Sequence, residues 1–144
     1  MSEPSIYIES VEVVAYPLID RFYKAQGQGD RCKRHDKVWA VRDQGTLIAT
    51  ARLSPMEGQW ILRGVWVAPS YRHQRIASEL ITQMIADHPG EIHCFTLPHL
   101  ATFYGRLGWQ LCQPKSVLQG VFAAYRRSQP QLLSFRRLPG SESA

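Results

Sequence analysis

The stretch from Arg75 to Asp87 constrains this chain most. Its apolar residues Ile76, Ala77, Leu80, Ile81, Met84 and Ile85 recur at three- and four-residue spacing, which gives a helix one apolar stripe to bury. Ahead of it, Gln59 to Val67 is rich in Trp, Ile, Leu and Val and reads as a strand, stopped at Pro69. Behind it, Pro89-Gly90 ends the helix and Glu91 to Thr96 reads as a second strand. A helix that carries the chain from one strand to the next in the same sheet is a crossover, and it makes that part of the sheet parallel.

The flanking segments add strands of the other kind. Ser5 to Val13 alternates weakly, as an edge strand does. Pro17 suits the first position of a helix whose face carries Leu18, Ile19, Phe22 and Tyr23, and Gly27 and Gly29 end it. Lys37 to Arg42 and Thr46 to Leu53 are strand-like around the turn Asp43-Gln44-Gly45. Pro98 precedes a helix through Leu107, closed by Gly108, and Trp109 to Cys112 begins another strand. The stretch Val121 to Leu138 is ambiguous, with a strand expected around Leu132 to Arg137. The expectation is an α/β layered domain with a mixed, mainly antiparallel sheet. It spans residues 1–138 as one domain, followed by a short, small and polar tail, Pro139 to Ala144, that is expected to fray.

Apolar residues make up 44% of the 144, enough for a real core. Met1 to Glu9 carries acids and no long apolar run, so no secretory signal is expected, and no stretch has the length of a membrane span. Cys32, Cys94 and Cys112 show neither CxxC nor zinc-ligand spacing, which fits a reducing cytoplasm and no structural metal. The net charge of +5 favours an anionic partner. Arg31, Lys33, Arg34 and Lys37 form one basic run, and Arg126, Arg127, Arg136 and Arg137 lie in another region. Both read first as solvated surface. Neither is interleaved with aromatics in a stripe, which argues against a nucleic-acid surface.

The chemistry concentrates at Val67-Ala68-Pro69-Ser70-Tyr71-Arg72-His73-Gln74-Arg75-Ile76-Ala77, where the strand turns into the helix. The first turn of a helix has amides without intrahelical partners and the positive end of the dipole. That combination binds phosphate. Arg72, His73 and Arg75 crowd the same turn, where cations are locally unfavourable unless an anion balances them.

Val65-Trp66-Val67-Ala68-Pro69 followed by Arg72-His73-Gln74-Arg75-Ile76-Ala77 resembles the acetyl-CoA motif of the GNAT superfamily of N-acetyltransferases, Gln/Arg-x-x-Gly-x-Gly/Ala, with Arg75 in place of the middle glycine. Phe103-Tyr104-Gly105-Arg106-Leu107-Gly108-Trp109 resembles that family's Phe-Tyr-x-x-x-Gly-Phe segment. The two stand in the family's order, with one helix and one strand between them. The resemblance implies a GNAT-like sheet whose central strands, the one ending at Val67 and the one at Glu91 to Thr96, splay apart. It implies acetyl-CoA as co-substrate, with its pantetheine arm paired to the backbone of Val65, Trp66 and Val67. The pyrophosphate would sit on amides from His73, Gln74, Arg75, Ile76 and Ala77, next to Arg72. It implies direct attack by an amine on the thioester in a ternary complex. Tyr104 occupies the family's position for the acid that protonates the departing thiolate.

No Asp, Glu or His lies on the strand Gln59 to Val67, so the general base is open among His99, His93, Glu57 and a water chain. At the first turn of a helix Arg75 is expected to have negative φ, which would spare it the need for glycine. The basic segment Gly27 to Lys37 lies where the family builds part of the acceptor site, which points to an anionic acceptor such as an acidic peptide or a carboxylate-bearing amine. An exposed last strand is expected to offer a pairing edge for a homodimer. The competing function is a non-catalytic CoA-binding or nucleic-acid-binding module on the same fold.

Overall fold

The computed structural model describes residues 5–139; most of the expected frayed tail, from residue 140 on, lies outside them. Seven strands form one sheet: β1 (Ile6–Val11), β2 (Lys37–Asp43), β3 (Thr46–Met56), β4 (Gln59–Val67), β5 (Ile92–Thr96), β6 (Gln110–Leu111) and β7 (Leu133–Arg137). Their hydrogen-bonded order is β1-β2-β3-β4-β5-β7-β6. The pairs β1–β2, β2–β3, β5–β7 and β6–β7 are antiparallel and β4–β5 is parallel. The helices are α1 (Tyr16–Ala25), α2 (Ile76–Asp87), α3 (Ala101–Arg106) and α4 (Gln119–Ser128). The last strand, β7, is not the edge that the sequence suggested: it lies between β5 and β6, and the sheet ends at β1 and β6. Among the described residues no helix is long and apolar enough to cross a membrane.

The chain divides into two compact units. The first holds residues up to Ser54 and Arg63–His88. Its organisation follows from the alternation of side chains along β2. Val38 and Ala40 point to α1 and pack with Tyr16, Ile19 and Tyr23. Lys37 and Trp39 point the other way, to the end of α2, where Trp39 donates from Nε1 to Asp87 at 2.8 Å and Lys37 Nζ lies 3.0 Å from His88 Nδ1. α2 buries Ile76, Leu80, Ile81 and Met84. Each such side chain contributes about 1.5–3 kcal/mol on burial. β3 is buried from Ile48 through Ser54, so both of its faces are covered.

The second unit holds residues 55–62 and 89 onward. Its sheet pairs Trp60, Ile61 and Leu62 of β4 with Ile92, His93 and Cys94 of β5. The same period-two logic sorts its helices. Cys94 faces Tyr104 of α3, whose ring meets Phe135 of β7. Phe95 faces the opposite side and stacks on Phe122 and Tyr125 of α4, with ring centroids 4.9 and 5.5 Å away. α4 fills the stretch that the sequence left ambiguous. It buries none of its own residues fully, which is why its apolar stripe was hard to see.

Candidate active site

In the first unit, the distinctive feature is a left-handed residue inside β4, the backbone signature of a bulge. Gly64 has φ +63°, the left-handed region. Its carbonyl accepts a hydrogen bond from the Tyr23 hydroxyl at 2.6 Å. Arg52, almost wholly buried on β3, donates from Nε to that hydroxyl at 3.3 Å. The rest of its guanidinium reaches the Arg31 carbonyl at 2.7 Å, Asp36 at 3.0 Å and Asp30 at 2.9 Å. Burial pushes the Tyr23 phenol far up, and the guanidinium beside it offsets only part of that. A lone glycine inside a strand pattern signals a bulge; that signal is present at Gly64, and the sequence reading did not use it.

Beyond the bulge Val65, Trp66 and Val67 are half-buried, and the chain turns through Pro69–Tyr71 into α2. The turn is tied down at both ends. Ala68 donates to the Ile48 carbonyl at 2.8 Å, and the Tyr71 hydroxyl donates to Asp43 at 2.6 Å. Hydrogen bonds from Tyr71 and Ser5 hold the Asp43 carboxyl below its ordinary range. Arg72, His73, Gln74 and Arg75 are exposed, Ile76 is buried and Ala77 half-buried.

The backbone of this turn corrects the expectation for Arg75. Arg75 is the N-cap of α2 at φ +63°, ψ +17°, not a residue of the first turn, and His73 also has positive φ, +64°. Arg75 thus holds, as a side-chain-bearing residue, a left-handed geometry that favours glycine. The φ sign alternates from Arg72 at −71° to His73 and again to Arg75. Such alternation curls successive amides into an anion-binding concavity, here continuous with the amides that open α2 and have no side-chain cap.

Arg72 turns back to β4. Its Nε donates to the Val67 carbonyl at 3.0 Å, and its guanidinium lies 4.6 Å from the centre of the Trp66 ring. Trp66 Nε1 in turn donates to Gln26 at 3.0 Å. The basic run of residues 31–37 separates into two parts. Arg31, Lys33 and Arg34 are exposed on the loop after α1, whereas Lys37 belongs to β2 and meets His88.

In the second unit, Tyr104 is buried, at 4% exposure. It shares a side-chain hydrogen bond with Cys94 and packs edge-on against Phe103 and Trp109. Burial, followed by the Cys94 side chain, pushes its phenol far up, and burial pushes the Cys94 thiol up to about 12. His99 is exposed in the single 3-10 turn Pro98–Leu100 that leads into α3. His93 is fully buried on β5 with its Nε2 3.8 Å from Glu91. Desolvation lowers its pKa, and the nearby Glu91 only partly opposes this. Glu57 sits in the hairpin turn before β4, whereas the motif follows the far end of that strand. Among the described residues no group of three or more His, Cys, Asp or Glu is placed to hold a metal ion.

Residues 34–111 match the family model described as an acetyltransferase (GNAT) domain. No curated protein sequence matches significantly. Solved structures share the fold at low identity. The N-acetylglutamate synthase of Neisseria gonorrhoeae, complexed with coenzyme A and N-acetyl-glutamate, superposes with a TM-score of 0.66 at 15% identity over 94% of this chain. The present chain spans only 35% of that protein's length. The ribosomal-protein-S18-alanine N-acetyltransferase of Escherichia coli gives 0.65 at 14% identity over 96% of both chains. Arabidopsis thaliana Naa50, in complex with a bisubstrate analogue of CoA and a peptide, gives 0.63 at 13% identity over 92% of this chain and 98% of its own.

Proposed function

The chain belongs to the GNAT acetyltransferase family, and from that premise we propose that it transfers the acetyl group of acetyl-CoA to an amine by direct attack in a ternary complex. The observation that carries this reading is the turn after β4, where left-handed backbone at His73 and Arg75 opens directly into the uncapped start of α2. An anion fits that turn because the amides and the helix dipole are fixed in advance. In the proposed site the amides of His73, Gln74, Arg75, Ile76 and Ala77 hold the pyrophosphate, and the backbone of Val65, Trp66 and Val67 holds the pantetheine arm. The Val67 carbonyl now accepts from Arg72, so Arg72 releases it as the cofactor seats and turns to the phosphates.

The amine nitrogen forms a bond to the thioester carbon, the carbon–sulfur bond breaks, and the sulfur leaves as a thiolate. A backbone N–H of the bulged strand stabilises the oxyanion. Tyr104 supplies the proton to the thiolate and is reprotonated, through water, by the second proton that the acylated nitrogen sheds as it becomes the amide. His99, exposed before α3, takes the proton of the incoming ammonium, directly or through water. The exposed Arg31, Lys33 and Arg34 favour an acceptor that carries negative charge, such as an acidic peptide.

Calorimetry with acetyl-CoA tests the reading first. Binding heat and a raised Tm are expected, because a ligand selective for the native state stabilises it. No heat and no thermal shift at high micromolar acetyl-CoA would refute it. Thiol release over a panel of amino acids, polyamines and short peptides then identifies the acceptor, with acidic peptides expected to react best.

Arg75→Gly separates two effects at one position. Removing a side chain from left-handed backbone should stabilise the free protein by about 1 kcal/mol, read as a higher urea midpoint. Removing the guanidinium should weaken acetyl-CoA binding about tenfold, and less at high salt. Tighter binding would mean that Arg75 obstructs the phosphate site instead of lining it.

A further inference from the structure

The buried polar cluster behind β4 is more elaborate than packing requires. Arg52 sits in the middle of a strand buried on both faces, where an aliphatic side chain would cost nothing in desolvation. Replacing a buried ion pair by well-packed apolar residues is often neutral or stabilising, so its presence calls for a role other than stability. Its partners show what it joins. On one side, through Tyr23, it reaches the Gly64 carbonyl at the bulge. On the other it reaches Asp30, the Arg31 carbonyl and Asp36 of the loop that presents Arg31, Lys33 and Arg34 to solvent.

That loop is fastened at further points. The Cys32 amide donates to Asp20 at 2.7 Å, the Lys33 amide donates to Asp36 at 2.9 Å, and the Tyr16 hydroxyl donates to the Asp36 carbonyl at 2.7 Å. The result is a loop without regular structure that is nonetheless fixed to the same buried guanidinium as the bulge. All of these residues belong to one compact unit.

We propose that Tyr23 and Arg52 are positioning residues for acyl transfer, holding the bulge at Gly64 and the basic loop at residues 30–36 as one rigid piece. The proposal rests on the acetyltransferase reading, in which that loop seats the acceptor and the strand beyond the bulge faces the thioester. A near-attack geometry is lost when either partner drifts by about an ångström. A strut between the two keeps nucleophile and oxyanion donor in register without touching either. Tyr23 reaches neither substrate; it acts through the Gly64 peptide, whose carbonyl it fixes.

Tyr23→Phe keeps the ring among Tyr16, Ile19, Val38 and Ala40 and removes only the hydroxyl. Amide hydrogen exchange followed by NMR needs no ligand. Exchange at Arg63–Ala68 and at Arg31–Lys33 is expected to speed up together, about tenfold or more, while the amides of Leu80, Ile81 and Met84 in α2 keep their rates. Acceleration at only one of the two segments, at neither, or evenly across the unit would overturn the strut. With the acceptor identified, kcat is expected to fall about tenfold, with acceptor KM and acetyl-CoA Kd within twofold. A lowered Tm with unchanged kcat would make Tyr23 merely structural and overturn the positioning role. If the native protein binds no acetyl-CoA, the acetyltransferase reading and the catalytic part of the proposal fall together. The exchange pattern still decides whether Tyr23 and Arg52 join bulge to loop.

Discussion

Gly64→Ala is expected to destabilise the protein by about 4–7 kcal/mol, measured as a fall in the urea midpoint. Two costs add at this position. A side chain at φ +63° crowds the following carbonyl, at roughly 1–2 kcal/mol. The added Cβ would also stand 2.5 Å from the Tyr23 hydroxyl and 2.9 Å from Arg52 Nε. Neither atom is a free end that can swing aside. Tyr23 is fully buried, and the Arg52 fork is held by Asp30, Asp36 and the Arg31 carbonyl. Any retreat separates a buried guanidinium from its partners, and breaking such a pair costs roughly 3–5 kcal/mol. Gly58→Ala is the control. Its φ is +74°, equally left-handed, but nothing lies within 4 Å of the added Cβ. It should lose only the conformational share, roughly 1–2 kcal/mol. Equal losses at the two positions would show that the network behind β4 yields, and that the close approach at Gly64 has no energetic weight.

The strand–turn–helix of Gln59 to Asp87 was legible because three independent signals agree: a β-rich run, a proline stop and a helical apolar stripe. The fold class follows from that crossover and from the turn at Asp43-Gln44-Gly45, and the structure has both. What stayed hidden depends on groups distant in sequence. Arg52 lies in a strand-like run with no local sign of its role, which shows only when Asp30 and Asp36 are seen to reach it. β7 looked like an exposed end because chain order says nothing about sheet order; it is inserted between β5 and β6. Arg75 was misread for a local reason. One residue decides whether a position caps a helix or belongs to its first turn, and the sign of φ turns on that residue. Tyr104 was placed correctly on its helix, but its burial depends on Trp109 and Phe135, which the fold brings onto its ring from later in the chain.

Tyr104→Phe is expected to lower kcat about 10²-fold, the lower end of what a lost general acid costs, with acetyl-CoA affinity unchanged within twofold. The substitution suits the question because the ring does most of the packing. Its contacts with Phe103, Trp109 and Phe135 at 5.1, 5.5 and 6.2 Å all survive. Only the hydroxyl and its bond with Cys94 are lost. One neutral hydrogen bond contributes about 1 kcal/mol to stability, so the variant should fold, with a Tm close to that of the native protein. The proposed role requires the phenol to rest protonated. Burial and the Cys94 thiol keep the phenol protonated throughout the range in which an assay is run. Tyr104 therefore rests protonated, while the same burial makes it a weaker acid than a free phenol. The native pH profile should accordingly show no loss of activity from tyrosine ionisation up to pH 9. An interaction made mainly in the transition state raises kcat without tightening cofactor binding, which is why the expected loss falls on kcat and not on acetyl-CoA affinity. A Tyr104→Phe variant that keeps native kcat with the best acceptor would leave Tyr104 as a packing residue bonded to Cys94, and the thiolate would then take its proton from water.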